Sequence, residues 1–411
     1  MKKDVLKIVL IGHVDHGKST LIGRLLFETN SLPKEKIAEI KKISKNLGKN
    51  MELAYLADQF KEEREQNLTI DTTQLFFKTH KRNYIIIDAP GHVEFIKNMI
   101  TGASLAQAAL LIVDAKEGIM GGTRRHAYLI RLLGLSSIIV AFNKMDLIDY
   151  KKDRFDKIKT EILNFLEELG IKPLFSIPIS AKNGINISKK SQKIGWHKGP
   201  TLIEAIDSFR LDKKIMNEPL RFPVQDTYKI GNEKIIVGRI SSGLIKQDYK
   251  VTLFPSFKDA KIKTIQVFGK HRRSAEKGES IGVTLKNALS VRRGNLIFKK
   301  DDSLMPTERF KANIFWMSNN PLEINKLITL RCATQEVKCI VEKIEKRIDS
   351  STLETLETNA GSLKQNEIGT LTLKTKSPLI VERFDIIEEL GRFILERENS
   401  TCAGGIITDK L

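Results

Sequence analysis

The chain has 411 residues, of which 41% are hydrophobic and 29% charged, so it is long enough for two or three domains with a core in each. No apolar run reaches the length of a membrane span and no signal-peptide core opens the sequence, so we expect a cytoplasmic protein without a membrane partner. Three cysteines without a CxxC pair argue against a zinc site or a disulfide framework. We expect reduced, packed thiols at Cys332, Cys339 and Cys402.

The net charge of +19 is unevenly distributed along the chain. Residues 211–300 carry 20 basic and 8 acidic side chains, whereas residues 301–411 carry 15 and 18. None of this excess forms a basic tail, and in a lysine-rich chain it favours solvated basic faces over a polyanion site. We therefore do not expect nucleic acid as a partner.

The first motif of the chain fits the phosphate-loop pattern G-x-x-x-x-G-K-[ST] between an apolar run, 8–11, and an amphipathic segment, 21–26. Its two glycines let backbone NH groups turn inward around a phosphate, and the following helix directs its positive dipole end there. Lys18 would reach the outer phosphates, and the Ser19 hydroxyl would hold Mg²⁺. The predicted nucleotide contacts in this loop are Gly12, His13, Val14, Asp15, His16, Gly17, Lys18, Ser19 and Thr20.

Up to about residue 209, short apolar runs alternate with amphipathic segments, which predicts a parallel sheet with helices on both faces. Ligands of such sheets bind at the carboxyl ends of the strands, so distant polar segments should converge there. The polar segment 31–66 can be a surface helical insertion, a mobile switch region, or both at once. The predicted strands are 7–11, 84–88, 109–114, 138–143 and 174–179, and the predicted helices are 124–133 and 153–169.

Three further polar motifs follow predicted strands. In the first, the Asp88 carboxylate can hold Mg²⁺ through water, and the Gly91 NH can sense a γ-phosphate. In the second, the Asp146 carboxylate can accept hydrogen bonds from both NH groups of a guanine edge, which adenine lacks. The third motif can lie behind the purine carbonyl group. In this order the motifs predict GTP binding. They comprise Asp88, Ala89, Pro90, Gly91 and His92; Asn143, Lys144, Met145 and Asp146; and Ser180, Ala181 and Lys182.

After residue 209 the pattern changes to short alternating apolar runs spaced by Gly, Asn and Asp turns, which is typical of all-β domains. The acidic segment 301–303 with Pro306 is the most plausible linker between two such domains. The predicted domains are therefore 1–210, 211–304 and 305–411.

Taken together, the four motifs resemble those of the translation-factor class of GTPases, and the resemblance covers the whole chain. It implies an α/β P-loop GTPase domain, with a mostly parallel sheet and helices on both faces, followed by two β-barrels. It also implies that Thr69 reaches Mg²⁺ only when a γ-phosphate is present, and that His92 is the catalytic residue that positions the attacking water. The expected cofactors are GTP and Mg²⁺, the latter with Ser19, Thr69 and Asp88 as ligands.

Within this class, the chain resembles the GTP-hydrolysing subunits of bacterial sulfate adenylyltransferases. The residues that carry this likeness include Arg124-Arg125-His126 and Trp316-Met317, and residues 331–334 stand where an elongation factor would offer a His-Thr pair. The implied partner is a separate small catalytic ATP sulfurylase subunit, and we expect no fused adenylyl-sulfate kinase domain.

A translation elongation factor that delivers an RNA to the ribosome stays open as the alternative. The phosphate loop and the segment that begins at Asp88 are closer to elongation factor 1-alpha than to many sulfate-activating relatives. Residues 211–300 would then form the RNA-binding face.

Overall fold

The computed structural model describes residues 5–32, 74–88, 106–209, 218–231, 233–267, 270–286, 290–302 and 304–411. The chain divides into two compact units, the first formed by Met1–Leu211 with Ser350–Leu353 and the second by Asp212–Asp349 with Glu354–Leu411. The division of the second unit at residue 304 stays a prediction. Among the described residues, no helix combines the length and the apolar character that crossing a bilayer requires.

The described strands of the first unit form one sheet in the order β2-β3-β1-β4-β5-β6. All neighbours are parallel except β2, which runs antiparallel to β3 at the edge. The predicted parallel sheet is confirmed, but the edge strand β2 was missed. The strands are β1 (Val5–Gly12), β2 (Gln74–Lys78), β3 (Asn83–Asp88), β4 (Ala108–Asp114), β5 (Ile138–Asn143) and β6 (Phe175–Pro178).

Four helices in the described part of this unit accompany the sheet. Strands β4 and β5 are buried at every position, as continuous apolar runs covered on both faces should be. The second helix begins three residues before its predicted start, because the Thr123 hydroxyl accepts a hydrogen bond from the Met120 NH and closes the first turn. The helices are α1 (Lys18–Glu28), α2 (Gly121–Leu132), α3 (Lys152–Glu168) and α4 (Leu202–Asp207).

The second unit contains two large antiparallel sheets, each closed into a barrel by an additional strand pairing. Pairing of Lys250–Phe254 with Lys258–Val267 closes the first barrel, and pairing of Leu327–Cys332 with Gln335–Asp349 closes the second. The predicted class, a GTPase-type α/β domain followed by β-barrels, is confirmed. The first barrel and its flanking strands are β7 (Arg221–Ile230), β8 (Glu233–Arg239), β9 (Leu244–Lys246), β10 (Lys250–Phe254), β11 (Lys258–Val267), β12 (Lys270–Arg272), β13 (Ser274–Glu276), β14 (Ser280–Leu285) and β15 (Leu296–Lys299).

The core of the second barrel is built from apolar side chains that alternate along its strands, with Trp316 wholly buried among them. The three cysteines are free and buried, and burial raises the pKa of Cys332 and Cys339 to about 12, so both stay thiols. Its elements are β16 (Thr307–Trp316), β17 (Leu322–Glu323), β18 (Leu327–Cys332), β19 (Gln335–Asp349), β20 (Thr355–Ala360), β21 (Ser362–Leu363), β22 (Glu367–Leu379), α5 (Glu388–Gly391), β23 (Arg392–Arg397) and β24 (Ser400–Lys410).

The two barrels pack on each other through one apolar cluster and one buried cation. The cluster joins Phe298 of the first barrel to Ile380 of the second through Leu304, which follows the predicted linker. Arg221, only 3% exposed, donates hydrogen bonds to Asp302 and, over 3.3 Å, to Glu382. These contacts fix the two barrels against each other within the second unit.

Candidate nucleotide-binding site

The phosphate loop leaves β1 and enters α1 through two glycines, and at each of them a side chain would strain the structure. Gly17 adopts a left-handed conformation (φ 89°), and a Cβ there would lie 2.4 Å from Asn143 Nδ2. A Cβ at Gly12 would lie 2.4 Å from the Ile112 carbonyl oxygen. The backbone of the loop therefore packs closely against β4 and the end of β5, and its role as a phosphate cradle stays a prediction.

Lys18 folds back over this loop. Its Nζ donates hydrogen bonds to the carbonyl oxygens of Gly12, at 2.7 Å, and His13, at 2.8 Å. The ammonium group is thus held at the inner edge of the loop, beside the N-terminus of α1. A cation, a helix N-terminus and a glycine-containing turn are the groups that bind phosphate in proteins, so the predicted phosphate contact has the chemistry it needs.

Asn143, at the end of β5, connects three of the sequence-predicted motifs. Its Nδ2 donates to the His16 carbonyl oxygen at 2.9 Å, and its Oδ1 accepts from the Ala181 NH at 2.9 Å. The side chain is 2% exposed, so both bonds form away from solvent. Asn143 therefore braces the phosphate loop against the segment 180–182, and its contact with the nucleotide stays a prediction.

Asp146 lies next to this brace, in a short 3-10 turn, Met145–Ile148. The Ser180 hydroxyl donates to Asp146 Oδ1 at 2.5 Å, which fixes one carboxylate oxygen. The Met145 NH donates to the Ile179 carbonyl oxygen at 3.2 Å, and Met145 itself is buried. The motifs 143–146 and 180–182 thus form a pair of hydrogen-bonded loops, and these hold the Asp146 carboxylate in a fixed orientation.

Lys144 is held by a residue that sequence reasoning missed. Its backbone is left-handed (φ 61°), and its Nζ lies 2.8 Å from Asp114 Oδ2. Burial works against the charge of Asp114, but hydrogen bonds from Lys144 and from the NH groups of Lys116 and Glu117 outweigh it and hold the pKa of the Asp114 carboxyl below its usual value. Asp114 ends the predicted strand 109–114, so its position at a strand end was the available signal.

Arg24, on α1, also fixes the segment 180–182. Its guanidinium donates to the carbonyl oxygens of Ala181, at 2.8 Å, and Lys182, at 2.5 Å. The partners are 157 and 158 residues apart in sequence, and no local pattern indicates the contact. The helix that follows the phosphate loop therefore also supports the loop that would flank the base.

Two histidines of the phosphate loop, His13 and His16, lie near a third, His126. The rings of His13 and His16 meet edge to face, with centroids 5.3 Å apart, and His126 on α2 is 1% exposed. Burial lowers the pKa of all three, that of His126 to about 3, and the nearby charge of Lys18 adds to this effect at His13 and His126. His126 is therefore neutral at physiological pH.

The residues predicted to hold Mg²⁺ are suited to it where the structure describes them. Asp88 ends β3, is 3% exposed and pairs in register with Leu10, two residues before the phosphate loop. Ser19 is the second residue of α1. A hydroxyl and a carboxylate are hard oxygen donors of the kind that Mg²⁺ prefers. Thr69, Ala89, Pro90, Gly91 and His92 lie outside the described residues, so their roles stay predictions.

Comparison with known proteins agrees with this geometry. Residues 3–211 match the family described as the elongation factor Tu GTP binding domain, and residues 309–408 match a GTP-eEF1A C-terminal domain-like family. An elongation factor 1-alpha from Methanosphaerula palustris is 36% identical, over 98% of this chain and 96% of its own length.

Relatives of a second kind are equally similar. A sulfate adenylyltransferase subunit 1 from Alteromonas mediterranea is 36% identical, over 100% of this chain and 88% of its own length. A protein of the same name from Bacteroides thetaiotaomicron is 34% identical, over 100% and 87%. Identity therefore does not distinguish between the two kinds of relative.

Proposed function

Since the chain belongs to the elongation factor Tu family of GTP-binding proteins, we propose that it is the GTP-hydrolysing subunit of a sulfate adenylyltransferase. The observation that carries this proposal is the Arg124-Arg125-His126 motif, which the resemblance assigns to sulfate-activating members. In the structure this motif lies on α2, with His126 buried beside the phosphate loop. The motif that favours a sulfate-activating function would thus lie next to the predicted nucleotide site.

In this proposal the chain binds GTP through groups that the structure describes. The phosphate loop and Lys18 would hold the phosphates, and Asp146, oriented by Ser180, would accept the two NH groups of guanine. Mg²⁺, held by Ser19, Asp88 and the predicted Thr69, would supply charge neutralisation between the phosphates. His92 would position the attacking water.

The chain would couple this hydrolysis to chemistry on another subunit. Transfer of an adenylyl group from ATP to sulfate is strongly uphill, so a conformational cycle driven by the γ-phosphate gives a physical reason for a GTPase to take part. The residues for adenylyl transfer would belong to a small catalytic subunit. We also place the protein in the cytoplasm.

Translation elongation is the second candidate, because relatives named elongation factor 1-alpha are as similar as the sulfate-activating ones. Its RNA face would be the basic stretch 211–300. Several of these cations are engaged by acids within the first barrel, however: Lys261 and Lys286 both contact Asp248, at 3.2 and 2.8 Å, and Lys263 contacts Glu233 at 2.6 Å. Their charge is partly neutralised, which disfavours a polyanion-binding face.

The deciding experiment measures GTP hydrolysis by the full chain alone, with a small adenylyl-transferring subunit, ATP and sulfate, and with ribosomes. We expect slow turnover alone and acceleration only when subunit, ATP and sulfate are all present. A His92→Ala variant should bind GDP normally and hydrolyse GTP at least about a hundredfold more slowly. Acceleration by ribosomes and none by the small subunit would assign the chain to translation instead.

A further inference from the structure

A cavity of about 670 Å³ lies between the two barrels of the second unit. Its walls come from the β10–β11 connection, from the loop 292–295 that precedes β15, and from the β18–β19 turn of the second barrel. This volume is in the range of small-molecule sites. The cavity belongs entirely to the barrels and shares no residue with the nucleotide site described above.

One wall is aromatic. Phe254 and Phe257 meet edge to face, with ring centroids 5.7 Å apart. Phe254 is 6% exposed and packs into the cluster between the barrels, whereas Phe257 is 50% exposed. A rigidly supported ring with a large exposed area is a suitable platform for stacking a planar group.

The same cavity is lined by two consecutive arginines, Arg292 and Arg293. Arg293 donates one hydrogen bond, to the Gln225 carbonyl oxygen at 3.1 Å. The side chain of Arg292 has neither an ion pair nor a hydrogen bond in the part of the chain that the structure describes. Glu336, which also lines the cavity, lies 3.0 Å from Arg331, and Arg331 also contacts Glu396 at 3.1 Å. Arg292 and Arg293 therefore place two positive charges at the cavity, where they could bind an anion.

Residues 334–337, which begin in the β18–β19 turn, form another wall of the cavity. Ala333 is left-handed (φ 51°), and the turn brings Thr334 against the first barrel, where a Cβ at Gly294 would lie 3.3 Å from the Thr334 carbonyl oxygen. The Thr334 hydroxyl is buried without a hydrogen-bond partner among the described residues. Rotation about one side-chain bond would offer it to a ligand in the cavity.

We propose that this cavity binds a nucleoside phosphate, with the base against Phe257 and the phosphate between Arg292 and Arg293. Aromatic and proline side chains alone would favour an apolar ligand, and the arginines alone would favour any small anion. A nucleoside phosphate satisfies both, because it joins a planar ring to an anionic group. The proposal does not depend on which partner the GTPase serves.

The test measures binding of AMP to the full chain loaded with one equivalent of GDP and Mg²⁺, by equilibrium dialysis with radiolabelled AMP. AMP is the probe because a guanine-selective site would reject it. We expect one saturable AMP site per chain, weakened about tenfold by Arg292→Ala, by Arg293→Ala and by Phe257→Ala. Lys246→Ala removes an exposed charge from the same barrel outside the cavity and should leave AMP binding unchanged.

Several outcomes would overturn the proposal. These are the absence of saturable AMP binding and equal weakening by Lys246→Ala. Competition by inorganic phosphate as effective as that by unlabelled AMP would show that the ring contributes nothing. Because Phe257→Ala removes packing area, Arg292→Lys serves as a second variant that keeps the charge. It should bind AMP more weakly than the unaltered chain, since lysine cannot form the bidentate contact.

Discussion

Asn143 shows how a single side chain can organise the nucleotide site. It hydrogen-bonds to residues 127 and 38 positions away in sequence, one in the phosphate loop and one in the segment 180–182. Only a side chain with both a donor and an acceptor at one end can make these two bonds at once. Its burial makes each bond costly to lose, because an unsatisfied buried polar group is left behind.

At Asp146, the predicted selectivity for guanine can be reversed. Asp146→Asn replaces one carboxylate acceptor by an amide donor, so the side chain can no longer accept both NH groups of guanine. We expect the affinity for GDP to fall by about a hundredfold or more and that for xanthosine diphosphate to rise, because xanthine carries a carbonyl where guanine carries an amino group. Titration calorimetry with both nucleotides measures this.

The matched control for this exchange is Asp149→Asn. Asp149 lies three residues further along the same loop, and its side chain is 79% exposed. It should leave both affinities unchanged. Equal affinity of the Asp146→Asn chain and the unaltered chain for GDP would remove Asp146 from the base site.

The buried His126 should make stability depend on pH. Burial, together with the nearby groups Lys18, Arg125, His13 and His16, lowers its pKa to about 3 in the folded chain, against about 6.5 when unfolded. The unfolded chain therefore binds more protons, and stability falls as pH drops below 6.5. Titration of His126 alone should lower the free energy of unfolding by about 1.4 kcal/mol between pH 7.5 and pH 5.5.

Urea unfolding at both pH values measures this loss in the unaltered chain and in His126→Leu. The variant should lose about 1.4 kcal/mol less than the unaltered chain over this interval, whatever its absolute stability. An identical pH dependence of the two chains would mean that His126 is not the titrating group.

At the scale of elements, the start of α2 supports the phosphate loop. A Cβ at Gly122 would lie 2.2 Å from His13 Nδ1 and 3.2 Å from His13 Cα, so Gly122→Ala must displace the loop. We expect a loss of about 1–3 kcal/mol in unfolding free energy, although alanine is the better helix former, and about tenfold weaker GDP binding. Unfolding and nucleotide titration check the two effects.

Gly361→Ala is the control for this steric effect, since a Cβ at Gly361 meets nothing within 4 Å. Its GDP affinity should equal that of the unaltered chain. If Gly122→Ala retained full affinity and stability, the close packing of α2 against the loop would have no energetic consequence.

At the scale of the molecule, Arg221 joins the two barrels. Its guanidinium is 3% exposed and serves both Asp302 and Glu382, so Arg221→Ala leaves two carboxylates without their buried partner. We expect a loss of about 3 kcal/mol in unfolding free energy, softened because Lys410 also lies 3.0 Å from Glu382. Chemical denaturation of the full chain, followed by fluorescence and circular dichroism, measures it.

An exposed ion pair of the first barrel provides the comparison. Lys261→Ala removes a contact with Asp248 between two half-exposed side chains, and it should cost less than about 1 kcal/mol. Equal effects of the two exchanges would show that burial of Arg221 contributes nothing.

Sequence by itself determined the class of the fold and the nucleotide motifs. Glycine spacing, strand-length apolar runs and a polar residue at each strand end are local properties, readable without the partners of each residue. The phosphate loop, the strands β4 and β5 and the all-β second half followed from them. The edge strand β2 did not, because an edge strand of five residues has too little pattern to stand out.

Tertiary structure alone decided which side chains hold these motifs together. Arg24 donates to a carbonyl group more than 150 residues away, and Asp114 forms an ion pair with Lys144. The rings of His13 and His16 are in contact within the phosphate loop. The cavity between the barrels likewise joins Phe257, Arg292 and Thr334. Such contacts depend on how sheets and helices pack, and packing brings together residues whose separation in sequence carries no periodic signal.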